Sequence, residues 1–502
     1  MSPFWMDSAN GIGLTGLAYY TEKGKNVAKQ YDLVIIGAGP AGYTAALKAA
    51  DFGISTVVIE EKKLGGNCVN RGCIPTKALL YASGRFRQMQ QCDEFGVSAD
   101  FISFDFKKMQ QYKKRSVQMY RDEIKRLFEE NGIDYMEGKA ILRRDKTVEV
   151  RNSEGREYVQ GKHIIIATGA TAEIPSIPGA NLAGVYTSSR LLAADTWNFD
   201  RLTIIGGGVI GVEFATIFNS LCSKVTIIEK GPHLLGPMDE VVSRALEKTL
   251  TDRGITVCCN AQVSRIEEKE GLCCQVELGD GEIISMKAGQ ILIAAGRKPN
   301  IEGLFGADVS LEMNQGKIAV NSEFMTSEPG IYAVGDVISG IQLAHVAAAE
   351  ATYVVEKIAG RPHGFKLEVV PAGMYVSLPI VPNCIYTQPE IATVGITEET
   401  AKASGMKVRC GRYSMTENGK SIIAKEEGFI RLVFEAYSNT IVGAQIVCPR
   451  ATDMIGEMAT AIANGLTASQ LSMAMRPHPT YSEGISAAIA DAMRQEQKPD
   501  LL

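Results

Sequence analysis

Twice along this chain a short apolar run breaks into a glycine turn, a helical stretch follows, and a second apolar run ends in a glutamate. The first copy runs from Tyr31-Asp32-Leu33-Val34-Ile35-Ile36 through Gly37-Ala38-Gly39-Pro40-Ala41-Gly42 and an alanine-rich stretch to about Ala50, then Ser55 to Ile59 and Glu60. The second runs from Leu202-Thr203-Ile204-Ile205 through Gly206-Gly207-Gly208-Val209-Ile210-Gly211, then Lys224 to Ile228 and Glu229. Such continuous apolar runs read as strands buried on both faces, hence a parallel sheet covered by helices. In this unit the glycines let a pyrophosphate approach the backbone at a helix N-terminus, and the acid accepts from a ribose hydroxyl. Two units imply two different dinucleotides. Glu229 repels a 2′-phosphate and accepts from a free 2′-hydroxyl, which favours NAD over NADP, with Lys230 beside it as the opposing feature.

The two copies end alike, in His163-Ile164-Ile165-Ile166-Ala167-Thr168-Gly169 and Ile291-Leu292-Ile293-Ala294-Ala295-Gly296-Arg297. This likeness predicts one nucleotide domain inserted into the other, with Pro175 and Pro178 marking where the insert begins and Pro299-Asn300 where it finishes. The expected order is a 1–30 extension, a first nucleotide domain at 31–178, the second at 179–300, the remainder of the first at 301–372 and a C-terminal α+β domain at 373–502. Between the copies, Met109 to Asn131 reads as a long charged amphipathic helix. Gly330-Ile331-Tyr332-Ala333-Val334-Gly335-Asp336 is a further strand ending in glycine and an acid, able to hold a polyol hydroxyl, and Leu343-Ala344-His345 opens another helix. Beyond it lie alternating strands, Arg431 to Phe434 and Ile441 to Val447, then helices over Thr452–Asn464 and Ala468–Met475.

Two stretches carry chemistry. In Gly65-Gly66-Asn67-Cys68-Val69-Asn70-Arg71-Gly72-Cys73-Ile74-Pro75-Thr76-Lys77 the cysteines stand five apart. On a regular helix that spacing leaves them about 140° from facing each other. A disulfide therefore requires a bend, which Gly72 permits and Pro75 promotes by crowding the carbonyl of Arg71. Two buried thiols in a loop is the reading the spacing favours by itself; a strained, reducible disulfide is the alternative. Zinc is disfavoured, with no second ligand pair nearby. The other stretch, Arg476-Pro477-His478-Pro479-Thr480-Tyr481-Ser482-Glu483-Gly484, holds a histidine between prolines with a glutamate five residues on, either a surface pair or a base whose second ring nitrogen the glutamate supports. Cys258-Cys259 and Cys273-Cys274 resemble a metal tetrad on paper, but adjacent strand residues face opposite ways, so packing is expected and no metal. A net charge of −5 argues against nucleic acid or an anionic membrane as partner. No run of about 18 apolar residues and no secretory signal occur, and eleven cysteines in 502 residues suit a reducing, cytoplasmic setting.

Taken together these residues resemble the flavoprotein disulfide reductase family, and within it the dihydrolipoamide dehydrogenases, from Tyr31 to about Asp491. The marks are the stretch 65–77, both glycine turns, Ala167-Thr168-Gly169, the segments 294–300 and 330–336, Tyr386 to Gly395 and 478–484. The resemblance implies FAD on Gly37, Gly39, Pro40, Ala41, Gly42, Glu60, Gly66, Lys77, Thr168, Gly169, Asp336, Ala344 and His345. It implies NAD on Gly206, Gly208, Val209, Ile210, Gly211, Glu229, Gly296 and Arg297. It further implies a Cys68–Cys73 redox disulfide, a Lys77–Glu213 ion pair beside the flavin, and a homodimer that brings His478 and Glu483 to the partner's disulfide. The substrate implied is dihydrolipoamide on a lipoyl-carrying protein of a 2-oxo acid dehydrogenase complex or glycine cleavage system. Asn67, where the family usually has threonine, and Arg71, where it commonly has a small apolar residue, depart from the pattern. Related disulfide or metal-ion reductases are the enzymatic alternative. A docking subunit using the N-terminal extension is the non-enzymatic one.

Overall fold

A computed structural model describes residues 28–236, 238–361, 368–369, 376–377 and 380–496. The N-terminal segment to residue 27 and the 372/373 boundary lie outside the described residues.

The first apolar run becomes strand β1 (Lys29–Ile36), followed by helix α1 (Pro40–Asp51) and strand β2 (Thr56–Glu60). Strand β1 begins two residues before the predicted Tyr31, because Lys29 and Gln30 pair through their backbones with Val159 and Gln160 while their side chains stay exposed. Helices α2 (Gly66–Arg71), α3 (Cys73–Gln90) and α4 (Phe106–Glu130) come next, α4 being the long amphipathic helix expected, and strands β3 (Asp134–Glu137), β4 (Lys139–Leu142), β5 (Thr147–Asn152) and β6 (Gly155–Ile166) close the sheet. Its order is β3-β2-β1-β6-β5-β4, parallel from β3 to β6 and antiparallel beyond, and Ile331–Ala333 adds a parallel strand on β6. Leu33, Val34, Ile35, Ile164, Ile165 and Ile166 are fully buried. Each such side chain contributes roughly 1.5–3 kcal/mol, and together they fix the register that holds the C-terminal strand ends, and so the turns, level with one another.

From the end of β6 the chain leaves through the short strand Ala170–Ala172, which pairs antiparallel with Arg297–Pro299. That two-stranded stem carries the second nucleotide unit. Its parallel sheet runs, in order, Thr256–Cys258, Lys224–Ile228, Arg201–Ile205, Gln290–Ile293 and Val185–Thr187, flanked by an antiparallel sheet of Ala261–Glu268, Leu272–Leu278 and Ile283–Lys287. Cys258 belongs to the first of these sheets while Cys273 and Cys274 belong to the second, and among the described residues no cluster of His, Cys, Asp or Glu could hold a metal. Desolvation raises the Cys258, Cys259 and Cys274 thiols, as expected of packing groups.

The C-terminal unit is a five-stranded antiparallel sheet, ordered Asn383–Ile385, Ile391–Gly395, Ile441–Val447, Phe429–Glu435 and Val408–Ser414. Helices Ala451–Ala463 and Glu483–Glu496 bury Ile455, Met458, Ile485 and Ile489 against it. No helix among the described residues is long and apolar enough to cross a membrane.

Candidate functional site

The cysteine stretch rests on the first glycine turn. The Gly65 N–H donates to the Ala38 carbonyl at 2.9 Å, and a Cβ on Gly66, whose φ is +60°, would stand 2.6 Å from the Gly39 Cα. Only glycine allows that approach. The helix starting at Gly66 breaks at Gly72 (φ −136°, ψ −107°) and restarts at Cys73, with Pro75 in the first turn of α3 where its missing N–H costs nothing. Because of the break Cys68 and Cys73 face each other. Both are thiols in this structure, Cys68 half-buried and Cys73 exposed. Their mutual hydrogen bond draws the Cys73 thiol below its ordinary range, and the Lys77 ammonium acts in the same direction against burial. The same bond, with burial, pushes Cys68 up. The negative charge of the reduced pair therefore settles on Cys73.

One turn further along α3, Lys77 Nζ donates to both carboxylate oxygens of Glu213 at 2.9 Å. Glu213 projects from the helix after the second glycine turn and its side chain is only 4% exposed. It also accepts from the Tyr386 N–H at 3.1 Å, and Lys77 Nζ lies 4.5 Å from the centroid of the Tyr386 ring. Removing Lys77 strands the buried Glu213 carboxylate, so this pair locks the cysteine helix to the second nucleotide unit and the C-terminal unit together.

Two dinucleotides fit the two turns, and the fit is visible in what the backbone leaves open. A Cβ on Gly37 would meet the Ala167 carbonyl at 2.4 Å, and one on Gly206 would meet the Ala294 carbonyl at 2.5 Å. At Gly42 and Gly211 the intruding Cβ would meet the carbonyls of Gly37 and Gly206 at 1.8 and 2.0 Å. Neither helix, Pro40–Asp51 nor Val209–Ser220, has a side-chain N-cap, so their first N–H groups remain for a pyrophosphate. Glu60 accepts from the N–H groups of Ala38 and Lys62, both at 2.9 Å, and Glu229 from those of Gly207 and Gly231, both at 2.6 Å. Each acid thus braces its own turn and keeps lone pairs for a ribose. At the first site the Thr168 hydroxyl is buried with no partner among the described residues, as an atom awaiting a ligand would be. Burial raises the Asp336 carboxyl, with Arg297 Nη2 3.4 Å away as the opposing charge, so donors such as polyol hydroxyls suit it.

Arg297, expected with the second nucleotide, reaches Asp336 and donates to the Ala170 carbonyl at 2.6 Å, because the Arg297–Pro299 strand folds back along the stem. Gly296, just before it, lies beside Glu173 on the same stem. Ala344 opens the helix Ala344–Ile358, and the neighbouring His345 ring nitrogen pairs with the Pro382 carbonyl at 2.9 Å. A residue that sequence reasoning missed stands in this helix. Glu350, almost wholly buried, accepts from the Gly335 N–H at 2.6 Å and so carries the turn that presents Asp336; burial pushes its carboxyl up to about 8. Its one sequence signal is an acid placed a turn after Ala347 on the apolar face.

His478 stands on the C-terminal unit with 77% of its side chain exposed. Its Nδ1 is 2.8 Å from Glu483 Oε1, and the other oxygen of Glu483 accepts from the Thr480 N–H at 2.8 Å. That backbone bond first, and the imidazole second, hold the Glu483 carboxyl below its usual range. With Nδ1 set against the carboxylate, Nε2 is the ring nitrogen left without a protein partner among the described residues.

Residues 31–351 match the family model described as pyridine nucleotide-disulphide oxidoreductase, and residues 381–489 match that family's dimerisation domain. A dihydrolipoyl dehydrogenase of Bacillus subtilis is 35% identical over 478 residues, covering 92% of this chain and 98% of that protein. One from Haloferax volcanii is 33% identical, covering 94% and 98% respectively. Among solved structures, the Cu(II) complex of the HOCl-induced flavoprotein disulfide reductase RclA from Escherichia coli superposes with a TM-score of 0.80 at 28% identity, covering 92% of this chain and 99% of that one.

Proposed function

The chain belongs to the pyridine nucleotide-disulphide oxidoreductase family, whose members use FAD and NAD, and from that premise we propose that it is a dihydrolipoyl dehydrogenase. It oxidises dihydrolipoamide carried on a lipoyl-bearing protein to lipoamide and passes two electrons to NAD. The single observation that carries this is the break at Gly72, which sets Cys68 against Cys73 directly above the first glycine turn.

His478, from the second subunit of a homodimer joined through the C-terminal unit, takes a proton from the substrate dithiol at Nε2, and Glu483 holds the imidazole by Nδ1 and stabilises its charge. The resulting thiolate attacks Cys68 Sγ in the oxidised pair; a substrate–Cys68 bond forms, the Cys68–Cys73 bond breaks, and Cys73 leaves as the stabilised thiolate. The second substrate sulfur then attacks the first, closing the lipoamide ring and releasing Cys68. Bound FAD supplies the two-electron relay from the reduced sulfurs to nicotinamide. Lys77, held by Glu213, favours the thiolate on Cys73. Gly37, Gly39, Gly42, Glu60, Thr168, Gly169 and Asp336 are the residues proposed to hold FAD, and Gly206, Gly208, Gly211 and Glu229 those proposed for NAD.

Glu229→Gln keeps one acceptor for the turn but removes the charge that rejects a 2′-phosphate. The kcat/KM ratio of NAD to NADP is expected to fall by about tenfold or more, the scale of one charged hydrogen bond. An unchanged ratio would take Glu229 out of nucleotide selection. The proposal as a whole is tested by NAD reduction with dihydrolipoamide: absence of turnover in flavin-loaded enzyme would reject it.

The likeness to RclA favours one other function, NADH-driven reduction of a disulfide or metal ion. Comparison of NADH oxidation with Cu(II) against that with lipoamide separates the two.

A further inference from the structure

The acid assigned to NAD is steadied from outside its own unit. Asp239, in the second nucleotide unit, meets Arg431, on the C-terminal strand Phe429–Glu435: Arg431 Nη1 lies 3.4 Å from Asp239 Oδ2, with 7% of the arginine side chain and 1% of the aspartate side chain exposed. Arg431 Nη2 donates to Glu398 Oε2 at 2.6 Å, but Glu398 also accepts from Arg412 at 2.7 Å and stands 2.9 Å from Lys402 Nζ. Among the described residues Arg431 is the one cation within ion-pair distance of Asp239. Glu398 therefore keeps partners without Arg431, and Asp239 does not. Burial raises the Asp239 carboxyl and nearby Glu399 adds to the rise, with Arg431 opposing both.

From Asp239 a chain of contacts runs to the second glycine turn. Its Oδ1 accepts from the Val241 N–H at 2.8 Å and so caps the helix Glu240–Asp252. On that helix Glu247 Oε1 accepts from the Leu234 N–H at 2.8 Å. The next N–H, of Leu235, donates to the Gly207 carbonyl at 3.0 Å, and the Gly207 N–H donates in turn to Glu229. The loop lies so close to the turn that a Cβ on Gly207 would stand 2.4 Å from Leu234 Cδ2. Apolar packing backs this chain, since Leu234, Leu235 and Val242 share one buried cluster with Ile385, Ile391 and Val447 of the C-terminal unit. Close-packed interiors transmit small displacements rather than absorb them, so a shift at the start of the helix reaches Glu229.

We propose that Arg431 is a positioning residue for NAD: paired with Asp239 across the boundary between units, it holds the helix Glu240–Asp252 and the loop before it, and through them Glu229, where a ribose 2′-hydroxyl is received. The C-terminal unit thereby sets the affinity of a site that lies on the second nucleotide unit. This rests on the assignment of NAD to the second glycine turn proposed above. Arg431 acts through Glu229 and takes no part in the exchange of electrons.

The test is the calorimetric Kd for NAD of flavin-loaded wild type, Arg431→Met, Arg431→Lys, Asp239→Asn and Glu229→Gln, and of Arg431→Met and Asp239→Asn each combined with Glu229→Gln. Arg431→Met should raise the Kd by about tenfold, the usual scale for coupling within one hydrogen-bond network, and Arg431→Lys by less. Asp239→Asn should match Arg431→Met, because asparagine caps a helix as well as aspartate does and only the charge is lost. In the Glu229→Gln background, where the contact to be positioned is already weakened, either change should add no more than about twofold, whereas a general loosening of the fold would add the same factor in both backgrounds. An Arg431→Met chain that fails to fold would show a lowered flavin-to-protein absorbance ratio, and Asp239→Asn with its flavin bound then decides. If Glu229→Gln weakens NAD while Arg431→Met and Asp239→Asn bind it as wild type does, or weaken it by one factor in both backgrounds, the inference is overturned and the assignment of NAD stands. If Glu229→Gln binds NAD as tightly as wild type, the assignment and the inference fall together.

Discussion

Cys73→Ser is expected to abolish oxidation of dihydrolipoamide while leaving the flavin in place. The serine hydroxyl is nearly the size of the thiol, and Cys73 sits in the first turn of α3, so the helix start and its packing on the glycine turn survive the change. What disappears is the leaving group. A serine oxygen cannot form the disulfide that accepts two electrons, and at neutral pH it cannot carry the charge that the Cys68 hydrogen bond and Lys77 stabilise on Cys73. Turnover with dithiol should drop to background, with the visible flavin spectrum retained. Full activity in this variant would remove the sulfur pair from the reaction. Cys68→Ser should be equally inactive for a different reason, since the atom that the substrate attacks is gone.

The second large effect is expected at His478. Replacement by glutamine keeps a polar side chain beside Glu483 but removes the ring nitrogen that accepts a proton, and the dithiol half-reaction should slow by about 10²–10⁴, the usual scale for losing a positioned acid–base group. Transfer from reduced enzyme to NAD should be nearly untouched. Stopped-flow measurement of each half-reaction separates the two, and slowing confined to the NAD step would contradict the role given to His478. In the proposed reaction the loss depends on assembly, since His478 acts on the disulfide of the other subunit. With most of its side chain exposed on the C-terminal unit, His478 is available to a neighbouring subunit.

How much of this was legible in the sequence follows from the kind of force that places each part. Both nucleotide units could be read directly, because runs such as Leu33 to Ile36 and Leu202 to Ile205 are apolar on every residue and end in glycines whose backbone contacts forbid a side chain. The bend between the cysteines was legible for a similar reason: Gly72 and Pro75 announce it locally. Lys77 and Glu213 stand 136 positions apart and met only through the resemblance to known enzymes, since no local signal joins them. The contact of Arg297 with Asp336 had no local signal, because Arg297 follows the last strand of the inserted sheet in sequence and only the two-stranded stem brings it beside Asp336 in space. Glu350 went unnoticed because an acid in an alanine-rich helix looks like a solvent-facing residue, and only the packing of that helix under the Gly335 turn reveals its backbone partner. The start of β1 was set late by two residues because polar Lys29 and Gln30 pair through backbone groups that leave no mark in an apolar pattern.

The central claim is that electrons enter through the sulfurs of Cys68 and Cys73. The most direct test adds one equivalent of dihydrolipoamide to oxidised enzyme without oxygen or NAD, quenches with a thiol alkylating reagent, and maps the modified peptides. New labelling confined to the peptide containing Cys68 and Cys73, in step with lipoamide formed, is the expected result. Lipoamide appearing with no new label on that peptide, or with the label at Cys222, Cys384 or another cysteine, would contradict it.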